Sequence, residues 1–129
     1  MTEVMHGYYY TKTHEWVKKE DNDTARIGLT DYAQHQLTDI AYVELPEVGD
    51  TLSRGDPLGI VESVKSSDEV MSPLTGEVLE VNTQLEDSPE RINESPYEAG
   101  WLAIMTIGDE SDFRELMDSD AYRAYLDTV

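Results

Sequence analysis

Apolar residues in this chain come in short runs that alternate with polar residues and stop at turn-forming ones. Glu77-Val78-Leu79-Glu80-Val81-Asn82 alternates with period two, and Leu58–Val64 is rich in β-branched residues. A period of two is that of a half-buried strand, so the pattern predicts a β-rich fold of short strands. Further strands are expected at Glu15–Lys19, Ala25–Leu29, Ile40–Leu45, Glu69–Ser72 and Trp101–Ile107. The polar segments Glu20-Asp21-Asn22-Asp23, Pro46-Glu47-Val48-Gly49-Asp50, Arg54-Gly55-Asp56-Pro57 and Ser66-Ser67-Asp68 read as turns. Thr30 is a good N-cap, Asp31 suits a first helical turn, and Tyr32, Ala33, Gln36 and Leu37 form an apolar stripe, which together predict a short helix. Residues 83–99 read as loop with one helical turn. Asp109–Asp127 reads as helical, broken near Asp118-Ser119-Asp120, with stripes at Phe113, Leu116 and Met117 and at Tyr122, Tyr125 and Leu126. The segments beginning at Val48 and Gly76 echo each other, as two related halves of a sandwich would.

Composition narrows the function. At 129 residues the chain is expected to form one domain over residues 1–129. It carries 28 acidic against 9 basic residues, a net charge of −19. Such a field repels phosphate backbones and anionic membranes. Cysteine is absent, which excludes disulfides, thiolate metal sites and a cysteine nucleophile. Three scattered histidines have no metal-ligand spacing. No apolar run approaches the roughly 20 residues of a membrane span, and Met1–His6 lacks the basic start and apolar core of a targeting peptide. A cytoplasmic location is therefore expected. An acidic surface with only four lysines, on a chain whose pattern is that of a folded domain, has the style of salt-loving organisms.

Lys65 stands apart. It falls between the predicted strands Leu58–Val64 and Glu69–Ser72, in a hairpin spanning about 58–72, among small or short neighbours. A surface lysine is ordinarily just solvated. At a hairpin tip it is also an attachment point, because acylation removes its charge and a long chain can then reach beyond the turn.

The residues around it resemble a known family. Gly59-Ile60-Val61-Glu62-Ser63-Val64-Lys65, then Ser72-Pro73 and Gly76-Glu77-Val78, are similar to the lipoylation hairpin of the glycine cleavage system H-protein family. Tyr10-Thr11-Lys12-Thr13-His14-Glu15-Trp16-Val17, Ile27–Gln34, Val43–Asp50, Ile92-Asn93-Glu94-Ser95-Pro96-Tyr97 and Gly100-Trp101-Leu102 continue the resemblance in order over about residues 8–126. It implies a mainly β barrel-sandwich hybrid of the lipoyl/biotinyl type with a helical C-terminus at about 110–127. It also implies a carrier without a catalytic centre, bearing lipoate in amide linkage on Lys65. The arm would take an aminomethyl group from glycine at the pyridoxal-phosphate P protein and deliver it to the tetrahydrofolate-dependent T protein. The L protein, dihydrolipoamide dehydrogenase, would reoxidise it. Glu62 and Gly49 match positions read by the lipoylating enzyme, though a surface carboxylate and a turn glycine are their plain alternatives. Glu15 and Glu69 match acidic positions near the cleft where the arm docks; the plain alternative for each is a solvated acid.

The sequence departs from the family at two places. Asp68-Glu69 replaces the common Ser-Asp three and four residues after the lysine. Gln36 stands where some relatives have a histidine, with His35 adjacent; His14 is expected to be a structural strand residue beside Trp16. A biotin carrier typically has methionines flanking its lysine, where this chain has Val64 and Ser66. The lipoyl domains of 2-oxo acid dehydrogenase complexes commonly carry Asp-Lys-Ala and lack the Thr-His-Glu-Trp opening. A hydrolase would need a nucleophile–base spacing that is absent. Donation of lipoyl or octanoyl groups to other acceptors remains an alternative role.

Overall fold

The computed structural model describes residues 2–21 and 23–129. Asn22, within the expected Glu20–Asp23 turn, and Met1 lie outside the described residues. Two sheets share one apolar core. The larger has six strands in the order β1 (Tyr9–Tyr10), β2 (Glu15–Lys19), β3 (Thr24–Leu29), β9 (Ala103–Thr106), β8 (Gly76–Val81) and β5 (Thr51–Leu52). The smaller has three, with β6 (Pro57–Ser63) between β4 (Ile40–Glu44) and β7 (Ser67–Met71). All their pairings are antiparallel. Val17, Ile27, Val78 and Met105 of the first sheet meet Val43, Leu58, Val61 and Val70 of the second in the core. The fold is thus mainly β with small helices. Its ladders form two sheets rather than one closed, hydrogen-bonded barrel. The two segments that echo in the sequence lie side by side, Thr51 opposite Glu77 and Leu52 opposite Gly76.

Helix α1 (Asp31–Leu37) starts where expected, with the Thr30 hydroxyl accepting from the Ala33 amide. Residues 83–99 hold two single-turn helices, α2 (Gln84–Asp87) and α3 (Arg91–Glu94), where one was expected. The C-terminal region is helical in two pieces that divide near Asp118, as expected, but the two differ in kind. Glu110–Glu115 is a 3₁₀ segment, and only Ser119–Leu126 (α4) is α-helical. Asp109 and Asp118 each cap a new start through their carboxylates, which divides the stretch. No helix among the described residues is long and apolar enough to cross a membrane.

A second, aromatic cluster holds the N-terminal strand and α4 together. Tyr10 and Tyr122 stack with ring centres 4.4 Å apart and planes 2° from parallel. The Trp16 indole donates to the Pro96 carbonyl at 3.0 Å. Burial pushes the Tyr10 phenol up to about 12. These rings are structural dipoles, with no ionisation in the neutral range.

Candidate functional site

The hairpin of β6 and β7 spans Pro57–Met71, one residue earlier than the sequence suggested. Ser67 and Asp68 belong to β7, opposite Glu62 and Val61, so the expected Ser66-Ser67-Asp68 turn is displaced to Val64-Lys65-Ser66. The cause is the Ser63 side chain. Its hydroxyl accepts from the amides of Lys65 at 3.1 Å and Ser66 at 3.0 Å, while the Ser63 amide donates to the Ser66 carbonyl at 2.8 Å. A serine closing its own turn is a compact local solution. A bulge between Pro57 and Gly59 shifts the register below it. Gly59 fits there because a Cβ would sit 2.3 Å from the Glu44 carbonyl oxygen.

Lys65 therefore occupies the apex, exposed, on a backbone pinned on both sides. Its ammonium group has no hydrogen-bond or ion-pair partner among the described residues, whereas Lys19, Arg26, Arg54 and Arg123 each pair with a carboxylate. Val64 beside it is 78% exposed.

A cleft of about 390 Å³ opens next to the hairpin. Asp68, Glu69 and Val70 of β7 form one side, and Lys12, His14 and Glu15 another. The third side is the α1 stripe, Tyr32, Ala33, Gln36 and Leu37, so the apolar stripe expected from the sequence faces the cleft. Leu29 and Val61 line it too. Asp68, the second residue of β7, lies three residues beyond Lys65.

Glu15 and Glu69, predicted from separate motifs, thus meet in one cleft, but in different environments. Glu69 is exposed. Glu15 is only 2% exposed, against the solvated-acid alternative. One of its oxygens accepts from the hydroxyls of Thr11 and Thr13, the other from the Met71 amide at 3.4 Å. Burial pushes its carboxyl above the usual range, and those hydrogen bonds pull against the shift. Thr11 and Thr13, four and two residues before Glu15, were the available sequence signal of this cradle.

His14 corrects its strand assignment. It sits before β2 at φ 70, lines the cleft, packs against Tyr32 with ring centres 4.4 Å apart and planes tilted by 39°, and bonds the Tyr122 hydroxyl through Nδ1 at 2.8 Å. Burial lowers its pKa. His35 is outside the cleft lining, 3.5 Å from Asp31. Glu62 is exposed on β6, opposite Tyr42 and Ser67, outside the cleft. Gly49 is far from these: it follows the end of β4 distant from the lysine turn. Its φ of 97 demands glycine, although a Cβ there would meet nothing within 4 Å.

Acylation of Lys65 fits this geometry. It breaks no hydrogen bond or ion pair of the amine among the described residues, and an attached alkyl chain would find Leu29, Ala33, Leu37 and Val61 within the cleft, with carboxylates for a terminal cation. A hairpin that presents one unpaired lysine beside such a cleft defines a carrier domain of the swinging-arm class. Comparison with known proteins makes this particular. Residues 8–129 match the glycine cleavage H-protein family. The probable glycine cleavage system H protein of Pyrococcus furiosus is 54% identical over 127 residues, covering 98% of this chain and 94% of that one. The glycine cleavage system H protein of a Thermoanaerobacter species is 51% identical over 125 residues, covering 97% and 98%. The crystal structure of a glycine cleavage system H protein from Mycobacterium marinum superposes with a TM-score of 0.84 at 32% identity, covering 98% of this chain and all of that one. The chain belongs to the glycine cleavage H-protein family. Its role is that of the lipoyl carrier of glycine cleavage, with lipoate held covalently on a lysine and the P, T and L proteins as partners.

Proposed function

We propose that Lys65 is the lipoylated residue and that the protein acts without a catalytic centre of its own, as a single cytoplasmic carrier domain over residues 1–129. The observation that carries this reading is the unpaired amine at the pinned hairpin apex, beside the cleft. Lipoate on that amine supplies a redox-active disulfide at the end of a long flexible chain. The protein supplies the rest. The stiff turn fixes the origin of the arm, and tethering keeps the cargo at high effective concentration near each docked enzyme. The cleft excludes water from a docked arm through Leu29, Leu37 and Val61. Glu15 and Glu69 offer carboxylates to a protonated amine, with Glu15 held in place by Thr11, Thr13 and Met71.

Glu62, exposed three residues before the lysine, is the side chain the lipoylating enzyme reads. Gly49 belongs to the same recognition as a backbone shape. The acidity is a salt adaptation, because it extends over the whole chain rather than one docking patch. Intact mass measurement with peptide mapping of natively produced protein tests the central assignment. A lipoyl group on Lys65 alone is expected, and modification of any other lysine overturns it.

A further inference from the structure

The motif Ile92–Tyr97 lies outside the cleft, yet it grips α1, one of the cleft's walls, at both ends. At the N-terminal end the Tyr97 hydroxyl accepts from the Asp31 amide at 3.3 Å. At the C-terminal end the Asn93 side chain makes three bonds. Its amide nitrogen donates to the Thr38 carbonyl at 2.7 Å and to Oε1 of Gln34 at 3.0 Å, and its oxygen accepts from the Ile40 amide at 2.9 Å. Between those partners Thr38 has φ 64. That region disfavours a β-branched residue, so the conformation persists only where its surroundings enforce it. Asn93 bonds on both sides of the strained residue. The next residue reaches the lysine turn: the Asp39 carbonyl accepts from the Val64 amide at 3.2 Å. A continuous chain of contacts thus runs from Asn93 through Thr38 and Asp39 to the residue beside Lys65.

We infer that Asn93 is a positioning residue for the carrier lysine, holding the strained Thr38-Asp39 step so that the α1 wall and the Lys65 turn keep a fixed relation. This rests on Lys65 being the attachment site, but its test does not. The three bonds use both N–H donors of the Asn93 amide group and one acceptor site of its oxygen, as a clamp requires. Among the described residues, the tie between Asp39, just before β4, and Val64 is the one backbone bond from the Val64–Ser66 turn to a residue outside its own hairpin.

Residue-resolved amide hydrogen exchange on the unmodified protein tests it. In Asn93→Ala, the Ile40 and Val64 amides are expected to exchange about ten-fold faster or more, while Ala25 and Met105 in the large sheet keep their protection. Thr38→Gly, which relaxes the left-handed step, is expected to restore Val64 protection in the Asn93→Ala background, because glycine adopts that conformation without a clamp. Asn93→Asp keeps the acceptor for Ile40 but sets an oxygen against the Thr38 carbonyl, so Val64 should again accelerate if the alanine variant fails to fold. Unchanged Val64 exchange in both Asn93 variants overturns the inference, as does uniform acceleration of every amide or lack of rescue by Thr38→Gly. None of these outcomes bears on where lipoate is attached, which mass mapping decides separately.

Discussion

The amide of Met71 points at Oε2 of Glu15, 3.4 Å away, so the end of the hairpin's second strand is tied to a buried carboxylate on the opposite side of the cleft. The hairpin and the Thr11–Glu15 segment are therefore coupled through an ionisable group, and its protonation has a measurable consequence.

Because burial raises its pKa, the folded protein holds the Glu15 proton more tightly than the unfolded chain does. The sign follows from linkage: where the native state binds more protons, stability falls as pH rises. The Glu15 contribution should be most favourable below the ordinary carboxylate value of 4.5 and decline as pH rises through the raised folded value. Glu15→Gln lacks that decline. Subtracting the two stability–pH curves cancels the other carboxylates, and the wild-type advantage should shrink with rising pH by at most about 1.4 kcal/mol per pH unit. Parallel denaturation curves across this range would mean that Glu15 titrates as a solvated acid.

Lys65→Arg should fold as the wild type does, with stability within about 0.5 kcal/mol, since the side chain is exposed and its ammonium group has no hydrogen-bond or ion-pair partner among the described residues. It should take up no lipoate and abolish glycine–bicarbonate exchange with the P protein, because a guanidinium stays protonated and offers no acylable amine. Residual exchange activity in this variant would remove the lysine from the reaction.

For Glu62→Gln, lipoylation should slow while the melting temperature stays nearly unchanged, because an exposed carboxylate on a strand surface contributes little to stability. Initial rates with a lipoylating enzyme settle the matter; equal rates for the two proteins reduce Glu62 to surface.

Salt dependence tests the acidic surface. Screening lengths fall from about 10 Å at 0.1 M to about 3 Å at 1 M salt, so molar KCl should suppress most of the repulsion from a net charge of −19. A rise in melting temperature of about 4 °C or more is expected, on the order of 1 kcal/mol for a domain this size. It should diminish near pH 4 as carboxylates protonate. Salting-out strengthens apolar burial as well, so a charge-reduced control is needed. Glu20 and Asp21 are unsuited to it: Glu20 pairs with Arg26 at 2.7 Å, and the Asp21 carboxylate accepts from the Asp23 and Thr24 amides. Glu77, Glu80 and Glu86, exposed and outside the ion pairs, are suitable for change to glutamine. The same salt shift in both proteins would assign the effect to apolar burial and end the halophilic reading.

Most strands were legible because period two and the turn residues agreed, and the Thr30 cap marked α1 from its own chemistry. The hairpin was misplaced by one residue because the Ser63 hydroxyl competes with the ladder at close range, which strand periodicity does not encode. At the C-terminus the apolar stripes and the break near Asp118 were legible, but the 3₁₀ winding of Glu110–Glu115 was not, because the stripes do not distinguish the two kinds of helix over so short a span. The apex position of Lys65 was legible because it falls between the two strands of the hairpin. Glu15 was read beside a solvated alternative because one acid among 28 carries no mark of burial; its marks are the flanking threonines. Asn93 stood in a recognised motif, but its partners Gln34 and Thr38 are 59 and 55 residues away, and such long-range satisfaction appears only when the chain is folded.

The tightness of the Val64-Lys65-Ser66 turn also sets how the carrier is shared. With Lys65 as the attachment point, one apex bears one arm, and an enzyme enclosing that apex shuts out the others. The three partner enzymes must take turns, so throughput depends on how many carriers circulate and how fast each is released. A complex that gripped the hairpin too well would idle the rest of the system, which favours brief encounters and an excess of carrier over enzyme.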